Sequence, residues 1–67
     1  MSFAVGDRVA VIGPSLYWLK VEGVEPFGWV SGTRTPEPNP AGSDEITVEL
    51  ADGRRGVFPD YALEHAD

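Results

Sequence analysis

The chain contains no cysteine, one methionine and one histidine among its 67 residues. Without thiols there can be no disulfide staple, thiolate zinc site, iron–sulfur cluster or cysteine nucleophile. Cations are scarce. Five Lys and Arg stand against eleven Asp and Glu, for a net charge of −6. Binding to nucleic acid rests on a basic stripe that displaces counterions from phosphate. Five scattered cations make no such stripe, so no nucleic-acid partner is expected. No apolar run approaches the roughly 20 residues that span a bilayer. The opening Met1-Ser2-Phe3-Ala4-Val5 has no basic segment ahead of it, and Asp7 and Arg8 interrupt the run, unlike a secretory signal. These features lead us to expect a cytoplasmic protein without membrane insertion.

Apolar residues make up 42% of the chain, with two Trp, two Tyr and three Phe. That suffices for a core and argues against disorder. At this length we expect a single domain, 1–67, burying only about 60% of the surface its unfolded chain exposes. The charge is uneven: residues 1–33 sum to −1 and residues 34–67 to −5. An acidic half keeps a small protein soluble, and it can also steer a basic partner.

Eight Gly and six Pro punctuate short apolar runs, leaving no evident room for a long helix. Short β-branched runs between turn signals predict a small all-β barrel or sandwich. The first run is Asp7 to Ile12, stopped by Gly13-Pro14. Ser15 to Phe27 is ambiguous. Leu16 to Val21 is apolar enough for a buried strand, or the segment is a long loop over tucked aromatics. Gly28 to Thr35 predicts a strand with glycine kinks. Pro36, Pro38 and Pro40 cannot ladder in a sheet, so Pro36–Ser43 should be an extended loop facing solvent. Its proline run could serve as a ligand or simply as a stiff linker.

Glu45 to Leu50 alternates cleanly, and Ala51-Asp52-Gly53 turns the chain back. A two-residue turn would set Glu49 against Gly56 and Val48 against Val57. A three-residue loop with Gly53 in the left-handed region would set Glu49 against Arg55 and Ile46 against Phe58. The second register is preferred, because it pairs opposite charges on the wet face and large apolar side chains on the dry one. One 3₁₀ turn is expected from Pro59 to Ala62, the only helix foreseen. Leu63 should return to the core, and His65-Ala66-Asp67 should fray as a solvated tail.

Val5-Gly6-Asp7-Arg8-Val9-Ala10-Val11 resembles the opening of SH3-like barrels. Val48-x-Leu50-x-Asp52-Gly53, followed by Val57-Phe58-Pro59-x-x-Ala62-Leu63-Glu64, resembles their closing hairpin and final turn. The resemblance implies a five-stranded SH3-like β-barrel and is silent on function. Within that superfamily, Pro14-Ser15-Leu16-Tyr17-Trp18 and Asp60-Tyr61-Ala62-Leu63-Glu64 are similar to motifs of photosystem I subunit IV. Val5 to Val9 and Phe58-Pro59-Asp60 are similar to the variable chain of ferredoxin–thioredoxin reductase. These likenesses imply a docking subunit of a ferredoxin-linked electron-transfer complex. Gly6 to Val9 and Pro59 to Glu64 also resemble type II dihydrofolate reductases, in which four subunits share one active pore. The Val-Gln-Ile-Tyr pore motif of those enzymes is replaced here by Arg55-Gly56-Val57-Phe58.

No catalytic constellation stands out. His65 is the lone imidazole, the serines have no base nearby, and Asp44, Glu45 and Asp52 lack calcium-loop spacing. We therefore expect a non-catalytic accessory protein with no cofactor and no metal. Tyr17, Trp18, Phe27 and Trp29 fall within thirteen residues, more aromatics than so small a core can bury. Those left exposed would form a protein-docking patch, with Glu22 and Glu25 favouring a basic partner or a place in a larger complex. Oligomeric state is not legible.

Overall fold

The computed structural model describes residues 2–66. It is mainly β: β1 (Arg8–Val11), α1 (Pro14–Glu22), β2 (Phe27–Arg34), β3 (Glu45–Leu50), β4 (Arg55–Pro59), a one-turn 3₁₀ helix (Asp60–Ala62) and β5 (Leu63–His65). The strands form one antiparallel sheet in the order β4-β3-β2-β1-β5. The expected all-β class, five strands and C-terminal 3₁₀ turn are all present.

Alternation places the core on one face of the sheet. Val9 and Val11 of β1, Val30 of β2, Ile46, Val48 and Leu50 of β3, and Leu63 of β5 form one buried cluster, joined by Leu19 and Val24. No described polar side chain is buried. Gly28 permits a close approach of β2 to the Glu49 main chain. A Cβ there would lie 2.2 Å from the Glu49 carbonyl oxygen, so any side chain would force β2 and β3 apart. Register shifts between Val30 and Gly32, a bulge on β2.

The closing hairpin adopts the preferred register, with Glu49 opposite Arg55 and Ile46 opposite Phe58. Gly53 turns the chain at φ 92°, where a Cβ is costly. Its N–H donates to the Leu50 carbonyl at 2.9 Å, and the Leu50 N–H donates to the Arg54 carbonyl at 2.7 Å. Phe58 is half-buried, not fully enclosed, and packs against the core cluster. Its ring lies over Gly56, where a Cβ would come within 2.9 Å of it.

The segment Ser15–Phe27 is neither the strand nor the loop expected from its sequence, but mostly helix. α1 runs nine residues, about two and a half turns. The glycines and proline that suggested breaks are its ends. Pro14 occupies the first turn, where its missing N–H costs nothing. Gly23 closes the helix in the left-handed region. The Gly23 N–H donates to the Lys20 carbonyl at 3.1 Å, and the Val24 N–H donates to the Leu19 carbonyl at 2.8 Å. This is a Schellman cap, and its apolar contact joins Val24 to Leu19.

The C-terminal expectation also needs correction. His65 lies in β5 opposite Val9, and the Ala66 N–H donates to the Arg8 carbonyl at 3.0 Å. Ladder pairing, which no local sequence signal reveals, holds this tail. Asp67, expected to fray with it, lies outside the described residues.

Candidate functional site

Strand alternation sends Gly28 and Val30 inward and Phe27 and Trp29 outward. α1 buries only Leu19, which leaves Tyr17 and Trp18 each 66% exposed. The four clustered aromatics are therefore all surface residues, but they do not form one patch. Tyr17 and Trp18 meet edge to face on α1, with ring centroids 5.9 Å apart. Phe27 and Trp29 lie on the sheet face opposite the core. There Phe27 sits opposite Ala10, and Trp29 sits opposite Arg8, whose guanidinium lies 5.6 Å from the Trp29 ring centroid.

The Trp18 side is concave. A groove of about 340 Å³ separates α1 from β4, walled by Trp18, Leu19 and Glu22 on one side and by Gly56, Val57 and Phe58 on the other. Val24 and Leu50 also line it. Its rim is charged and largely self-neutralised. Arg54 Nε lies 2.6 Å from Asp52 Oδ2, and Arg54 Nη1 lies 3.4 Å from Glu22 Oε1. The Asp52 carboxyl is held below its ordinary value, first by the Arg54 backbone N–H and then by the Arg54 side chain. Arg54 is pushed up, chiefly by Asp52. Glu22, expected to attract a basic partner, thus already contacts a cation. Glu25 lies beyond α1, exposed and without an ion pair among the described residues.

Sequence reasoning missed β4 as a wall of this groove. β4 is a terminal strand of the sheet. Because Leu50 N–H bonds Arg54 C=O, antiparallel alternation turns the N–H and C=O of Gly56 and Phe58 toward β3. Those of Arg55 and Val57 point away from the sheet. Val57 itself is 63% exposed. A second hollow lined by Pro36, Pro38, Pro40, Asp44 and Glu45 also touches Val57 and Pro59, so β4 is flanked along its length.

His65 Nε2 lies 3.1 Å from Asp7 Oδ2, and its ring stacks on Phe3 with centroids 4.6 Å apart. Neither His65 nor Asp7 lines either hollow beside β4, and no serine hydroxyl bonds to them among the described residues. No group of three or more metal-ligating side chains occurs among the described residues. No helix among them is long and apolar enough to cross a membrane. No family model, curated protein or solved structure matches the chain.

Proposed function

We propose that this is a non-catalytic docking module of SH3-like architecture that binds a partner protein through the groove between α1 and β4. The architecture rests on the opening and closing motifs and on five antiparallel strands with a 3₁₀ turn before the last. The function rests chiefly on one observation. A domain with a small core leaves Tyr17, Trp18 and Val21 exposed on one short helix beside an apolar hollow. Large apolar side chains clustered on a small surface mark an interaction site more often than chance exposure, and Trp is among the residues that concentrate binding energy. Phe27 and Trp29 lie on the other sheet face, apart from this groove.

The test is affinity capture from the source cells, identification of the captured protein, and titration of that protein in purified form. Trp18→Ala should weaken binding at least about ten-fold, and Trp29→Ala should leave it nearly unchanged. Loss confined to Trp29→Ala would move the site to the opposite face. Equal binding by all three proteins would overturn the reading. Capture of a ferredoxin-linked electron-transfer complex would narrow it to that class. A homotetramer that binds a nicotinamide cofactor would replace it with the pore-enzyme alternative.

A further inference from the structure

Resting on that docking site, we infer that the groove takes an extended, cationic peptide segment of the partner, added as a sixth strand along the free edge of β4. Three independent features specify this occupant. First, the backbone N–H and C=O of Arg55 and Val57 face outward and take part in none of the described hydrogen bonds outside the sheet ladder. Only an extended backbone satisfies such groups in series. Second, Trp18, Leu19, Leu50 and Phe58 line the hollow beside that edge, giving an apolar side chain of the added strand a place to bury.

The third feature is charge. Arg54 faces Asp52 and Glu22, Arg55 lies 3.9 Å from Glu49, and Arg34 lies 2.8 Å from Glu45. The cations near β4 are thus already matched. At the Pro59 end, Asp44 accepts from the Thr35 hydroxyl at 2.7 Å, and Asp60 accepts from the Asp44 N–H at 3.2 Å. Neither carboxylate meets a cation among the described residues. A Lys or Arg following the apolar side chain would find them there. A second copy of this chain would bring −6 to meet −6, so the same charge argues against self-pairing.

The probe is a library of random ten-residue peptides, displayed and selected on the folded protein. The best peptide is then synthesised with a fluorescent label and titrated. We expect selected peptides to combine a β-branched or aromatic residue with Lys or Arg, and their binding to slow amide exchange at Arg55 and Val57. N-methylation at alternate peptide residues should weaken binding about ten-fold, the effect of losing one or two backbone hydrogen bonds. Val57→Pro should do the same, since it deletes an outward N–H that the fold does not use, and it should weaken binding more than Val57→Ala, which trims the same groove wall but keeps that N–H.

Peptides that need Trp18 but leave the Arg55 and Val57 amides unprotected would overturn strand addition while leaving the docking site in place. So would selected peptides rich in acidic residues, or a stable dimer at micromolar concentration that blocks the groove. If no peptide is selected, this inference fails, and the Trp18→Ala titration with the captured protein decides the docking site separately. Should Val57→Pro not fold, amide exchange in the wild-type complex decides the same question.

Discussion

The sheet has two terminal strands, and they are finished differently. β5 is three residues long. Its Leu63 is 3% exposed in the core, and its His65 is engaged by Asp7 and Phe3. Shortness and charge are common ways of closing an edge to unwanted pairing. β4 is five residues long, and its central Val57 faces solvent. Arg55 and Pro59 guard it only at its ends. An open, partly apolar edge is an aggregation hazard, and here it lies beside the apolar groove that α1 helps to form. One sheet thus carries an edge built to be left alone and an edge suited to pairing. The contrast depends on where each strand is anchored, which mutation can test.

The largest effect should come from β5. Leu63→Ala removes a buried anchor and should cost about 2–5 kcal/mol, measured by urea unfolding. A 67-residue domain has little to spare, so this could remove half its stability. A loss below about 1 kcal/mol would mean that β5 is not held by its core contact, and the contrast between edges would collapse.

On β4 the anchor is Phe58, not Val57. Because Phe58 is half-buried, its truncation to Ala should cost about 2–3 kcal/mol, less than a fully enclosed ring would. Val57→Ala should stay within about 1 kcal/mol, as for other surface sites. If the valine mutant is the more damaged, β4 presents its other face, and the groove assignment falls with it.

These two strands also show what a sequence can reveal. The β3–β4 register was legible because three local signals agreed: strict alternation from Glu45 to Leu50, a Gly where the turn needs positive φ, and opposite charges at Glu49 and Arg55. β5 was not legible, because three residues gain strand geometry only by pairing with β1, more than fifty positions away. α1 was missed for a different reason. A helix recognised by periodicity buries a broad stripe, whereas this one buries Leu19 and exposes Tyr17, Trp18 and Val21. Its signals lay in its caps, Pro14 and Gly23, which also read as strand breaks. The aromatic cluster could be counted from sequence, but its division between two faces follows from the parity of β2 and the turn of α1.

The β5 side should respond to acid. Asp7 accepts the Ala4 N–H at 2.9 Å and faces His65, and these partners hold its carboxyl below the ordinary value of 3.8, the Ala4 bond more than His65. The native state therefore binds this proton less readily than the unfolded chain. The contribution of Asp7 is complete above about pH 3.8 and disappears as pH falls through its lower native pKa. Unfolding followed from pH 6 to pH 2 should show wild type losing stability more steeply than Asp7→Asn. Parallel curves would mean that Asp7 does nothing for this edge.

The smallest effect should be at the Glu49–Arg55 pair, the only ion pair linking the side chains of β3 and β4 among the described residues. Its closest approach is 3.9 Å, between side chains about half or more exposed. Such a pair gains little Coulomb energy in water and gives up side-chain freedom to form. A double-mutant cycle with Glu49→Ala and Arg55→Ala should return a coupling on the order of 0.2–0.5 kcal/mol, fading in 0.5 M salt. The size of this coupling bears on the open edge. Were it above about 1.5 kcal/mol, Arg55 would be fixed over the sheet and its main chain held with it, leaving β4 stiffer and better guarded than β5. A small coupling leaves Arg55 free to swing away, so that its outward N–H and C=O can meet an incoming strand without first breaking a strong contact.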